Sequence, residues 1–343
     1  MNIVILLLCC ALATDVYTFA TDLRTLLRDE VELSEKDLQK LGQGEVLIRL
    51  LDTDKKPEVA VLGIMRVDVP ADFFVDKYRD IELFTKADRA AEVGTFTDPP
   101  ESGNLEGMTL DSSDLQAIRE CKVGDCNIKL PASVMDHLRQ KVDWSQPECM
   151  QQVTGQVKQM LVDYVGAYLI RGNSAMGQYD DQTYPLRMAD EFHELLQEPT
   201  CLDDNVPELY EYLEFYPKIN LSSTEAFVYW SKKKYGNLRP ILSLNHVTIV
   251  RVPSGIVKTL IASKQIYASH YFEASLELTA LIEYDKASEL TGFILVHLNR
   301  SRLDALRRTG PPGMKDRIRK GVLDKIGEEM RATKSQIEAL YQE

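Results

Sequence analysis

Apolar residues recur at helical spacing near the start of the chain, at Val16, Phe19, Leu23 and Leu26. Ser34 then offers a cap for a short helix through Leu41 that stops at Gly42. Here the period changes. Gly44 to Asp52 and Val59 to Val69 are rich in Val, Leu and Ile and predict two strands, with a turn over Asp-Thr-Asp-Lys-Lys-Pro at 52–57. Pro70 suits the first position of a helix whose buried stripe is Phe74, Tyr78 and Ile81. Asp98 to Gly107, rich in Pro, Gly and Ser, reads as a loop.

The middle of the chain has a helical period. Ser145-Gln-Pro-Glu148 has the spacing of a capping box, followed by Met150, Val153, Val157, Met160, Tyr164 and Tyr168 until Gly172-Asn173 ends the run. Further helices are predicted through Met188, Phe192 and Leu196, from Pro207 to Pro217, and from Ser222 to Tyr235-Gly236, where Ser222 and Glu225 repeat the capping spacing. Beyond Gly236, Ile241–Val252, Thr259–Tyr284 and Gly292–Asn299 are dense in β-branched, Leu and aromatic residues. The long middle run is one bent strand or two strands meeting near Ser269-His270. Its alternation puts Ala262, Ile266, Ala268, Phe272, Ala274, Leu276, Leu278 and Ala280 on one face. Tyr267, Tyr271, Glu273, Glu277 and Thr279 fall on the other, the pattern of a half-buried antiparallel sheet. A helix from about Lys315 to Leu340 closes the chain, with Ile318, Val322, Ile326, Met330, Ile337 and Leu340 as its stripe.

This order is α+β, and it carries a resemblance. Val59–Ile81, followed far downstream by Thr259–Tyr284, Gly292–Leu298 and the helix after Arg300, resembles the START-like (helix-grip) superfamily. Val-Asp-Val-Pro-Ala-Asp at 67–72 is similar to that superfamily's first strand-to-helix transition. The resemblance implies a curved antiparallel sheet gripping a long C-terminal helix and enclosing an apolar cavity. It divides the chain into an export signal region (1–20), a first part of the core (21–98), a mostly helical insertion (99–235) and the completing strands and helix (236–343). The function it implies is the binding of an apolar small molecule or lipid, with no cofactor.

Composition changes this picture in two places. The net charge of −13 removes the basic face that broad nucleic-acid binding needs. Against that background, eleven Lys and Arg residues between Asn299 and Lys334 meet only five carboxylates. Such a basic segment, 300–334, suits peripheral contact with anionic headgroups, or pairing with the acidic remainder of the chain. Ile3 to Leu8 is an unbroken apolar run and Ala11-Leu12-Ala13 has a small-x-small form, so the first residues resemble a secretory signal. The expected location is periplasmic or secreted. Beyond that leader four cysteines remain, Cys121, Cys126, Cys149 and Cys201, with three possible pairings. Gly124-Asp125 turns the chain between Cys121 and Cys126, and these two are the expected disulfide.

Candidate chemistry is sparse. There is no Gly-x-Ser-x-Gly elbow, phosphate-binding Gly loop or His-Glu-x-x-His; Gln197 stands where the second histidine after His193-Glu194 would be. No metal site is expected. His246, His270 and His297 fall in the predicted C-terminal sheet, and Glu273 and Glu277 lie four residues apart on one strand face. Of these, Glu273, Glu277, His270 and His297 are the candidates for acid–base work, the alternative function. Tyr267, Tyr271 and Trp230 are the candidate ligand contacts. A structural or interaction protein with a filled core is the second alternative.

Overall fold

An eight-stranded antiparallel sheet, in the order β1-β2-β10-β9-β8-β7-β6-β3, frames the molecule. The computed structural model describes residues 27–28, 33–53, 57–86, 92–197, 207–252, 257–283 and 292–343. The expected leader and Cys201 lie outside the described residues.

Helix α1 (Glu35–Gly42) begins at Ser34, whose hydroxyl accepts from the Asp37 amide while the Asp37 carboxylate accepts from the Ser34 amide. Strands β1 (Leu47–Leu51) and β2 (Glu58–Val67) form a hairpin, and Pro70 starts α2 (Ala71–Arg79), followed by α3 (Ile81–Lys86) and the short β3 (Glu92–Thr95). The chain then leaves the sheet. It builds α4 (Ser112–Glu120), α5 (Ala132–Lys141), α6 (Cys149–Arg171), a small β4–β5 pair (Gln178–Tyr179 and Leu186–Arg187), α7 (Met188–Leu196) and α8 (Pro207–Phe215). It returns as a meander: β6 (Thr224–Lys233), β7 (Ile241–Arg251), β8 (Val257–Ala268), β9 (Phe272–Glu283) and β10 (Phe293–Leu303). A short α9 (Asp304–Arg307) and the long α10 (Met314–Gln342) finish it.

Two sequence expectations are corrected here. The capping spacing at Ser222 and Glu225 does not start a helix, because the ten residues of β6 have a period of two. Phe227, Tyr229 and Ser231 face one way and Val228 and Trp230 the other, and the strand pairs with β7 along its length. Ser145 likewise caps nothing: its hydroxyl donates to Asp143, and α6 begins at Cys149 without a side-chain cap.

The sheet curls around α10. Met330 lies against Gly63 in β2, where an added Cβ would fall 2.1 Å from its sulfur, and the neighbouring Glu329 reaches Lys233 in β6 at 3.8 Å. Four strands separate β2 from β6, so one helix meets both only across a concave surface. The convex surface is covered by α1 and the 96–223 excursion, whose Tyr168, Phe192, Leu195 and Leu213 join Leu244, Leu276 and Leu298 of the sheet in one core. A second core on the concave side joins Phe74, Val75, Ile326, Met330 and Ile337 to Val61, Val247, Leu281 and Leu295. The inner strands are therefore covered on both faces, not on one as the alternation suggested.

The 259–284 run is two strands, turning at Ser269–Tyr271, with Tyr271 at a φ of 61°. A bulge shifts the β7–β8 register between Leu244 and Asn245, which pair with Tyr267 and Gln265 and leave Ile266 over. Such an extra residue reverses the alternation beyond it. It puts Tyr267 in the convex core with Ala262, against the face predicted for it.

Candidate functional site

The concave surface changes character along its strands. Val247, Ile249, Ile261, Leu281, Phe293 and Leu295 pack under α2 and α10. Further along come Ser243 and Asn245 in β7, Ser263 and Gln265 in β8, Ser275 and Glu277 in β9, and Asn299 and Ser301 in β10. These are linked in chains: Ser275 with Ser301 at 2.9 Å, Ser301 donating to Asn299 Oδ1 at 3.0 Å, and Asn299 Nδ2 donating to Glu277 Oε1 at 3.1 Å. Of these only Glu277 is half-buried; the serines, Asn245, Gln265 and Asn299 are buried.

Accessible surface marks where the room is. On β9 and β10 the convex residues Leu276, Leu278 and Leu298 are buried, whereas Glu277, Thr279 and His297 on the concave side are only half-buried. Both are inner strands, so that free surface opens beneath α10. Above it, Ile318, Val322 and Leu323 of α10 are also only partly covered. The candidate cleft lies here, between this half-buried polar row and the apolar face of α10.

Several titratable groups converge on this cleft. Burial, reinforced by the charge of Glu277 and the neighbouring phenol of Tyr229, holds the Tyr78 hydroxyl well above the usual tyrosine range. Burial also pushes Tyr229, hydrogen-bonded to Ser263, up to about 12, with Lys233 opposing the shift. His297 shares a 2.9 Å hydrogen bond between its Nδ1 and Thr279 Oγ1, and burial lowers its pKa while Glu277 opposes the change. At neutral pH the site therefore holds two neutral phenols, a neutral imidazole and the Glu277 carboxyl. Among the described residues no protein group bonds Glu277 Oε2, His297 Nε2 or the Tyr78 hydroxyl, and none of the three is among the sealed buried atoms.

The other sequence candidates lie elsewhere. Glu273 is 1% exposed and takes Arg307 Nε at 2.7 and 2.8 Å; burial raises its pKa and Arg307 opposes the shift. Glu273 and Glu277 thus have separate partners and form no acid–base pair. His270, in the β8–β9 turn, is buried with Nε2 3.2 Å from Asp114. The three histidines do not share one surface, since His246 is on the convex side. Tyr267 donates to the Lys129 carbonyl at 3.1 Å and Trp230 to the Asn104 carbonyl at 2.8 Å, both on the convex side. The Tyr271 hydroxyl accepts from the Arg239 amide at 3.2 Å. All three side chains are committed to protein groups outside the cleft. Cys121 and Cys126 are bonded to one another, and Cys149 is buried and free. Among the described residues no cluster of three His, Cys, Asp or Glu side chains forms a metal site.

A second polar centre, on the convex side, was missed in the sequence. Lys264 is 1% exposed, donates to Asn173 Oδ1 and lies 4.1 Å from the Phe192 ring centroid. Burial lowers its pKa to about 7, with Glu214 opposing the shift. Its cross-strand neighbour His246 bonds the Tyr168 hydroxyl at 2.9 Å, and burial, helped by Lys264, lowers its pKa to about 3. The signal was a lysine in register with Ala262 and Leu260, the apolar positions of the run Thr259–Ala268. This centre is closed, with Tyr168, Phe192 and Leu213 sealing it.

No protein-family model matches the chain, and no curated protein matches it by sequence. Among the described residues, no helix is long and apolar enough to cross a membrane.

Proposed function

We propose that this chain is an exported binding module of the START-like type, holding a small amphipathic molecule or lipid between its curved sheet and α10. The reading rests on the half-buried row Glu277, Thr279 and His297 under a half-buried apolar helix face. Binding sites are concave, mostly apolar and equipped with a few convergent polar groups. The order of strand, two helices, antiparallel meander and closing helix, with the sheet curled round that helix, supports the fold assignment. The polar floor modifies the expected ligand: an apolar body alone would leave these groups unbonded, at a cost of about 1–3 kcal/mol for each. The Cys121–Cys126 bond is compatible with an oxidising compartment.

Extraction of natively purified protein with organic solvent, followed by mass spectrometry, tests the reading. A stoichiometric amphipathic compound is expected. Protein that carries none, and whose Tm is unmoved by a panel of amphiphiles, would sink it, because a ligand bound to the folded state must raise stability.

One observation favours an enzyme as the second reading. Glu277 and His297 each keep an atom free of protein partners in the same cleft as two neutral phenols, an arrangement compatible with acid–base work. Peripheral contact through 300–334 belongs to the proposal too, with fewer residues than the composition suggests. Arg300 and Arg302 are turned inward to Glu58 and Glu191, and Arg307 pairs with Glu191 and Glu273.

A further inference from the structure

The two edges of the sheet are finished differently. At β3 the chain folds back beside the strand: the Thr109 amide donates to Glu92 Oε2 at 2.7 Å, and Lys232 Nζ donates to the Thr109 carbonyl at 3.1 Å. At the other edge, no strand among the described residues lies outside β1. None of its five residues is fully buried, and Leu50 is 41% exposed. Four of the five are Leu or Ile, with no proline and no break in the register with β2. The one charge, Arg49, is held by Asp37 at 2.7 Å. Open edges are ordinarily blunted by charge, proline or a bulge, because their unpaired N–H and C=O groups invite another strand.

The stretch that enters this edge, Glu45-Val46-Leu47-Ile48-Arg49, is complementary to its own reverse. We infer that two copies of this chain pair here, antiparallel about a twofold axis through Leu47. Leu47 then faces its counterpart, Val46 faces Ile48 of the second copy, and Glu45 faces Arg49 of the second copy. Val46 and Ile48 pack with the concave core and Leu47 with the convex one, so alternation puts Glu45 and Arg49 on the convex side with Leu47. Apolar residues therefore meet apolar ones on both faces, and the charges meet their opposites. Unlike charges directly across an antiparallel pair stabilise it and like charges oppose it. A register centred on Arg49 would instead set the two guanidiniums face to face. Both copies are acidic overall, at −13 each, yet this edge is balanced, and at physiological salt charges more than about 8 Å apart are largely screened. A twofold contact presents the same patch on both sides, so it closes at two copies. The inference concerns the sheet edge and does not rest on the binding reading above.

Sedimentation velocity of the mature protein at physiological ionic strength tests it. A pair of short strands buries less than a standard interface of roughly 1,600 Å², so a monomer–dimer equilibrium with a Kd of about 10–500 µM is expected. E45R sets two cations face to face at each end of the pairing and should weaken it at least about tenfold. Glu45 is exposed, so the fold should not change. R49E sets two carboxylates face to face and should weaken it likewise. Mixing the two variants restores unlike charges at both positions, and they should form a heterodimer with about the wild-type Kd. The E45R result stands even where R49E, which loses its bond to Asp37, fails to fold. A monomer at every concentration up to about 1 mM overturns the inference and leaves the edge to a strand from another protein or from residues 1–26 of the same chain. Self-association that E45R leaves unweakened, or assembly that grows beyond two copies, overturns it as well.

Discussion

The two surfaces of the sheet treat their polar side chains differently. On the convex surface several are matched by a group from the 96–223 excursion: His246 by Tyr168, Lys264 by Asn173, Tyr267 by the Lys129 carbonyl and Trp230 by the Asn104 carbonyl, while Arg300 pairs with Glu58 of β2 and Arg302 Nη1 is buried without a hydrogen bond among the described residues. On the concave surface the chain of bonds from Ser275 to Glu277 ends at Glu277 Oε2, which no group among the described residues completes. Buried polar groups are bonded as a rule, so an open atom that solvent still reaches is a better mark of a site than one sealed in the core. Strangeness of an individual residue is the poorer guide. Lys264, its pKa lowered by burial to about 7, is strongly perturbed and sits where nothing can reach it.

Ile326→Asp breaks the comparison most severely. Ile326 is buried in the concave core, and a carboxylate there has no partner, so the variant is expected to unfold or aggregate, a loss of several kcal/mol. Lys325→Asp, one residue away and half-buried, gives up only a 3.6 Å ion pair with Glu329 and a cation–π contact with Tyr235, and should cost about 1–2 kcal/mol. Thermal unfolding of the two side by side checks this, and equal tolerance would mean that α10 does not close the cleft.

Lys264→Met addresses the convex surface through pH. The folded-state pKa of Lys264 is lowered from 10.5 to about 7. Between these values the unfolded chain binds more protons than the folded one, so this residue makes stability rise with pH from about 7 to about 10.5. The variant should lose that slope and gain stability at pH 7, because the buried cation is no longer desolvated. His246 acts in the same direction at lower pH, from about 3 up to the ordinary histidine value of 6.5. Chemical denaturation at pH 6, 8 and 10 measures the slope, and an unchanged slope in Lys264→Met would show that Lys264 is not the titrating group. Ligand binding in the cleft should be unaffected.

The smallest effect is expected at Cys121–Cys126. This hairpin is tied to the excursion, with the Gly124 amide donating to the Asp180 carbonyl at 2.8 Å and the Cys126 amide to the Asp181 carbonyl at 3.0 Å. Closing so short a loop stabilises by about 2 kcal/mol. The double Ser variant should lose no more than that and keep its cleft, as judged by Tm and fluorophore binding. Loss of binding at unchanged Tm would mean that the convex excursion controls the concave site.

What the sequence determined by itself was local. Ser34 and Asp37 made a cap, Gly172 at a φ of 58° ended α6, and the stripe from Ile318 to Ile337 foretold α10 facing a sheet. The alternation in β9 set Glu277 on its polar face, which is the concave one, while His297, among apolar neighbours in β10, carried no such signal. Capping spacing misled at Ser222, because two residues matching a helix start weigh less than ten alternating ones that find a partner in β7. Tertiary structure alone decided the rest. Which strand face meets α10 depends on the Ile266 bulge and on pairing between residues far apart in the chain, such as His297 with Gly63. Whether a buried polar group is finished or left open depends on what packs over it: Asn173 finishes Lys264 from 91 positions away, and no residue among those described finishes Glu277. Periodicity records which residues share a face; it does not record what covers that face.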